Sequence, residues 1–212
     1  MGIDDTDLVI IAARPSMGKT SLALNIAAHN AVHKGKPVYF CSMEMTPAQL
    51  VTRLISSECR VPGKRIKDGT LDDNDLNKLA GGVPKLKNIP LVIDGNVSQD
   101  VMSITTAAKR AERTHGKLSC IIIDYLTQIE GKGQNQNDKI SNISRQLKKM
   151  AMSMKTPVIC LAQLNRGVEQ RADKRPMMSD LRDSGAIEQD ADIVMMLYRD
   201  DAYNENSQDK GT

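Results

Sequence analysis

The stretch Ala13-Arg14-Pro15-Ser16-Met17-Gly18-Lys19-Thr20 follows an apolar run, Leu8-Val9-Ile10-Ile11-Ala12, and precedes helical apolar spacing at Leu22, Leu24, Ile26 and Ala27. Strand, small-residue loop, Gly-Lys-Thr and helix, in that order, are the context a phosphate-binding loop requires. The residue types follow from the chemistry. Backbone N–H groups of Met17 to Thr20 can wrap a β-phosphate, with the positive end of the following helix behind them. Ser16 and Ser21 flank that run and complete the candidate nucleotide-binding set. The Lys19 ammonium can reach β- and γ-oxygens, and the Thr20 hydroxyl can ligate Mg²⁺. Ala13 stands where the general G-x-x-x-x-G-K-[ST] pattern has its first glycine. The competing reading is an ordinary strand-to-helix turn in which Lys19 is simply solvated, and the flanking strand and helix argue against it.

Working outward, six short apolar runs alternate with longer stretches: Leu8–Ala13, Pro37–Ser42, Ile89–Ile93, Leu118–Tyr125, Pro157–Gln163 and Asp192–Tyr198. Most are near-continuous rather than alternating, the mark of strands buried on both faces of a parallel sheet. Helix signals lie between them. Thr46-Pro47 supplies an N-cap and an N1 proline before Leu50, Leu54 and Ile55. Ser98 is a candidate cap for a helix that stops at Gly116. Ile140, Ile143, Leu147, Met150, Ala151 and Met154 make one apolar helix face. The alternation predicts an α/β fold, a mostly parallel sheet covered by helices on both faces, in a single domain over 1–212.

Composition narrows the function. The 212 residues hold no Trp, one Phe and four Tyr, so a nucleic-acid surface built on base stacking is not expected. A net charge of +3 is too small for polyanion binding by bulk charge. Cys41, Cys59, Cys120 and Cys160 show no C-x-x-C spacing and read as buried hydrophobes in a reducing cytoplasm rather than as metal ligands. His29, His33 and His115 read as surface helix residues. No run approaches 18 apolar residues and the start of the chain is acidic, which predicts neither a membrane span nor a signal peptide.

Further residues complete a nucleotide machine. Cys120-Ile121-Ile122-Ile123-Asp124 ends a strand in a carboxylate, where an interior strand of an open α/β sheet meets the ligand crevice. Asp124 is therefore the candidate that holds Mg²⁺ with Thr20. Glu44 closes the second strand and is either the base that polarises attacking water or a plain helix-start acid beside Thr46. Gln163 ends another strand and is either a γ-phosphate sensor or a solvent-facing amide. Two polar stretches stand out, 130–138 and 166–190. Between Arg166 and Arg182, five basic residues face three acidic ones, an excess of +2 that fits a binding element or a solvated, mobile loop.

Set in order, these strings resemble the motor motifs of DnaB-type replicative helicases. They are Ala-Arg-Pro-Ser-Met-Gly-Lys-Thr (13–20), Ser-Met-Glu-Met (42–45), Ile-Ile-Asp-Tyr-Leu (122–126) and Gln-Leu-Asn-Arg (163–166), then the long strings 169–176 and 180–192. The likeness runs from about Asp7 to about Asn206, and Ala13 is that family's usual residue. The resemblance implies a RecA-like P-loop ATPase that works as a homo-hexameric ring, hydrolysing ATP or another nucleotide with Mg²⁺ to move along single-stranded DNA. By residue, it implies that Lys19 and Thr20 bind phosphate and metal, Glu44 is the base, Asp124 holds the metal and Gln163 couples γ-phosphate to DNA loops. It further implies that Arg182, Asp183 and Gly185 meet the DNA backbone, and that a helicase loader and a primase are partners.

The family's N-terminal primase-interacting domain and its last strands, which carry an arginine finger, are expected to lie outside these residues. This stretch alone is then expected to bind nucleotide, turn it over slowly and be monomeric. Three other functions compete. A RecA-like recombinase or clock-type ring ATPase shares the fold, but 169–192 disfavours it. A small-molecule kinase would need an acceptor pocket and lid, for which the sequence offers no apolar or aromatic cluster. A nucleotide-gated DNA-binding or loader-docking module is the non-enzymatic alternative.

Overall fold

The computed structural model describes residues 2–95, 100–124, 126, 129–131, 133, 135–181, 184–204 and 207–208, with only the backbone at 136 and 184. Strands β1 (Leu8–Ala13), β2 (Val38–Ser42), β3 (Leu91–Asp94), β4 (Cys120–Asp124), β5 (Val158–Gln163) and β6 (Ile193–Met196) form one sheet in the order β3-β2-β4-β5-β1-β6. Every neighbouring pair is parallel. Each strand lies inside, or within one residue of, its predicted run.

All residues of β1, β2 and β4 are buried, as their continuous apolar sequence predicts. Strand alternation divides them between two cores. Leu8, Ile10, Tyr39, Ile121 and Ile123 face α5 (Val101–His115) and α6 (Gln136–Met154). Val9, Ile11, Phe40 and Ile122 face the other way, toward α1 (Lys19–Ala28) and α2 (Pro47–Cys59). With helices on both faces, loops at the carboxyl ends of the strands form one rim, and the sheet register sets what meets there.

Local signals explain the helix ends. Thr46 Oγ1 accepts the Gln49 N–H at 3.3 Å and Gln49 Oε1 accepts the Thr46 N–H at 3.0 Å, a reciprocal capping box ahead of Pro47. Helix α5 is capped by Asp100, whose Oδ1 accepts the Ser103 N–H at 2.9 Å. Ser98, the expected cap, lies outside the described residues. Helix α6 starts at Gln136 because the Asn135 side chain accepts the Asp138 N–H at 2.8 Å, which shortens the polar loop predicted over 130–138.

Three helices have no clear sequence signal. Helix α3 (Gly63–Asp68) is one short turn and a half. Helix α4 (Asp73–Leu86) runs through Gly81, Gly82 and Pro84, residues that mask its periodicity. Its backbone packs closely on α2, where a Cβ at Gly82 would run into Cys59 Sγ. The stretch 166–190 also holds more structure than its composition suggests: 3₁₀ turns at Arg166–Gln170 and Met178–Asp180, then α7 (Ser184–Asp190). Val168 and Ile187 anchor it as buried side chains. All four cysteines are buried, free thiols, and His29, His33 and His115 are exposed on helices.

Candidate active site

Strand β1 ends at Ala13, in register with Gln163 of β5, and the chain turns through Arg14–Gly18 into α1. Two residues of this turn are left-handed, Ser16 at φ 66° and Gly18 at φ 92°. A non-glycine residue held there costs on the order of 1–3 kcal/mol, so the turn stores strain of the kind found at ligand sites. A Cβ at Gly18 would meet nothing within 4 Å. Glycine is therefore needed for its backbone angle, and the space above it is open to a ligand. Helix α1 has no side-chain cap and no acidic residue in its first turn, so its leading N–H groups are left for an anion.

Beside that helix end, Thr20 Oγ1 donates to Asp124 Oδ2 at 2.8 Å and Lys19 Nζ lies 3.8 Å from Asp124 Oδ1. Asp124 is fully buried, yet its Oδ1 has no hydrogen-bond partner among the described residues. An oxygen in that condition costs about 1–3 kcal/mol unless something binds it. Burial pushes the Asp124 carboxyl above the usual range; Lys19 and the Thr20 hydroxyl pull it down, and Glu44 pushes it up again. A hydroxyl, a carboxylate with an unsatisfied oxygen and an open anion cradle suit Mg²⁺, which takes few protein ligands and completes its shell with phosphates and water. Among the described residues no group of three or more His, Cys, Asp or Glu that could hold a metal occurs.

Ser42 of β2 lies in register with Asp124, and the Met43 N–H donates to the Asp124 carbonyl at 2.7 Å. Ser42 Oγ exchanges hydrogen bonds with Met45, which tightens the turn and leaves Glu44 exposed at its tip. Glu44, Gln163, Arg53 and residues of the 13–21 turn line a single cleft of about 270 Å³. The structure thus brings together Ser16, Gly18, Lys19, Thr20, Ser21, Glu44 and Gln163 as lining, with Asp124 beneath them. Met17 is buried under the turn and contributes backbone. Gly185 is exposed on α7 and is not part of the cleft; Arg182 and Asp183 lie outside the described residues.

Sequence reading missed two arginines. Arg14 sits at a freely variable position of the motif, so no pattern marks it. It is buried, with Nε donating to Glu169 Oε1 at 2.9 Å and Nη1 to the Leu164 carbonyl at 2.7 Å. Arg53 lies on α2, nine residues beyond Glu44, and enters the cleft wall only because the Met43–Met45 turn folds α2 back over α1. The buried thiols are not reactive groups: burial pushes Cys41 up to about 12 and Cys120 to about 11.

A family model described as the DnaB-like helicase C-terminal domain matches residues 1–212. The chain belongs to the DnaB-like helicase C-terminal domain family. It is 46% identical over 212 residues to a replicative DNA helicase DnaB of Geobacillus stearothermophilus, covering 99% of this chain and 46% of that protein. The chain spans about half the length of the curated relatives it matches. Among solved structures, one described as an ATPase domain superposes with a TM-score of 0.92 at 39% identity, over 99% of this chain and 75% of that one. A DnaB-like replicative helicase, solved with a view to its interactions with primase, matches at the same score and identity over 99% and 51%. These likenesses agree with the parallel, doubly covered sheet: the fold is RecA-like. No helix among the described residues is long and apolar enough to cross a membrane.

Proposed function

We propose that this chain is the ATP-hydrolysing motor unit of a replicative DNA helicase, one RecA-like domain over 1–212. The observation that carries the reading is the buried Asp124, with an unsatisfied oxygen, set against Thr20 and Lys19 at the foot of an uncapped helix. The 16–21 backbone and Lys19 bind the phosphates. Thr20 and Asp124 would hold Mg²⁺, which would supply positive charge to the phosphates. Glu44, an exposed residue of the cleft lining, orients water and takes its proton. The Gln163 amide reports the γ-phosphate from the tip of β5.

Family membership supports the rest of the reading. Arg182, Asp183 and Gly185 meet the phosphate backbone of single-stranded DNA, contacts that suit a domain with few aromatics and a net charge of +3. The working form is a homo-hexameric ring that takes a loader and a primase as partners, in the cytoplasm. The test is hydrolysis and strand separation by the full-length protein against its Glu44→Gln variant. Loss of both with nucleotide binding kept supports the motor; unwinding that survives the substitution would remove Glu44 from the mechanism.

A further inference from the structure

Residues 164–181 form a closed unit. Its two ends pair, Leu164 bridging Leu181, and the Asn165 N–H donates to the Asp180 carbonyl at 2.8 Å. Inside it, the Arg171 guanidinium grips both oxygens of Asp180 at 2.9 and 2.8 Å, and Asp180 Oδ2 also accepts the Met177 N–H at 2.7 Å. Val168 is buried at its centre. A two-bond ion pair on a largely buried carboxylate thus ties the unit together internally.

This piece meets the phosphate-binding turn through the Leu164 N–H, which donates to the Ala13 carbonyl at 3.1 Å, and through the Arg14 guanidinium. That guanidinium reaches the unit twice, at the Leu164 carbonyl and at Glu169. The pairing is strong enough that Arg14 holds the Glu169 carboxyl below its usual range. Glu169 is half-exposed and does not line the nucleotide cleft, so its role in the contact is separable from ligand binding. Across the unit, Lys174 lies 4.9 Å over the Tyr203 ring and Arg175 lies 5.2 Å over Tyr198, and the two rings stack. The unit therefore joins the phosphate-binding turn to the segment that follows β6.

We propose that Arg14 and Glu169 are positioning residues that transmit nucleotide occupancy from the phosphate-binding turn to the 164–181 unit. The inference rests on the nucleotide-site reading above. A ligand settling on Ser16–Thr20 pulls on Arg14, its neighbour in the turn, and Arg14 carries the displacement to Leu164 and Glu169 together. The Gln163 side chain offers a path along β5; the Arg14 brace meets the unit directly after it, at Leu164, and again at Glu169.

Hydrogen exchange on this chain, with and without a non-hydrolysable ATP analogue and Mg²⁺, tests it. Wild type should show a nucleotide-dependent change in exchange across 164–181. Glu169→Ala should bind a fluorescent ATP analogue as wild type does but lose the change, whereas Glu169→Gln, which keeps an acceptor oxygen, should retain it. A merely structural brace would lower the melting temperature of Glu169→Ala and leave the nucleotide-dependent change intact, which would overturn the proposal. So would wild type that binds the analogue with no change in this unit. Wild type that fails to bind at all would instead overturn the nucleotide-site reading itself.

Discussion

Two clefts lie at opposite ends of the same sheet. The one at the amino ends of the strands is the larger, about 510 Å³ against 270 Å³, and is lined by Lys36, Lys117 and Ser119 among others. There Lys117, Ser119 and Asn30 find protein partners. Lys117 Nζ donates to the Met154 carbonyl and, at 3.0 Å, to Thr156 Oγ1, and lies 3.2 Å from Glu112. Ser119 Oγ donates to the Pro37 carbonyl at 2.9 Å and Asn30 to the Ile26 carbonyl at 2.9 Å. At the carboxyl ends, by contrast, a buried carboxylate oxygen has no hydrogen-bond partner among the described residues and a helix starts uncapped. Unspent bonding capacity, rather than volume, separates a site built for a ligand from a gap in the surface. A still larger groove of about 900 Å³ between α1, α2 and α3 holds no buried side-chain N or O without a hydrogen-bond partner among the described residues.

The sharpest way to break this contrast is at the carboxyl-end cleft. In the full-length protein, Glu44→Gln should lower turnover by roughly 10²–10⁴, the usual worth of a positioned base, while nucleotide affinity stays within about twofold. Steady-state hydrolysis beside equilibrium binding separates the two effects. Lys19→Ala should weaken nucleotide binding by roughly ten- to a hundredfold, the value of one or two charge-assisted hydrogen bonds. Its counterpart at the other cleft, Lys117→Ala, should leave binding unchanged. If both lysine variants bind alike, the distinction between the clefts fails.

Asp124→Asn gives a smaller effect with a definite pH signature. Burial raises the folded carboxyl above its ordinary value of 3.8, so the folded state binds protons more readily than the unfolded one. Ionised Asp124 thus costs stability at neutral pH, and that cost disappears as pH falls below the unfolded value. Without ligand, the asparagine variant should melt higher than wild type at pH 7, with the gap closing in acid. With nucleotide it should lose the Mg²⁺-dependent gain in affinity. A gap that widens in acid would reverse the sign of this account. Smallest of all, Lys117→Ala should cost about 1–2 kcal/mol in denaturant unfolding through lost bonds to Met154 and Thr156.

Much of this was legible in the sequence, for reasons that differ by element. Six parallel strands read cleanly because burial on both faces leaves uninterrupted apolar runs such as Cys120–Asp124. Lys19, Thr20, Glu44, Asp124 and Gln163 were legible because each sits at a strand end or helix start that the pattern itself locates. Helix α4 was hidden by Gly81, Gly82 and Pro84, tolerated because its packing on α2 outweighs propensity. Order in 166–181 was hidden because polar pairs such as Arg171–Asp180 create it, and such pairs leave no periodic trace. Arg14 and Arg53 became visible only once the turns had folded.

The most direct test of the central claim is titration of the chain with a fluorescent ATP analogue, with and without Mg²⁺, beside Lys19→Ala. The account predicts saturable, Mg²⁺-dependent binding by wild type and little by the variant. Equal binding by both proteins, or none by a wild type shown to be folded, would contradict it.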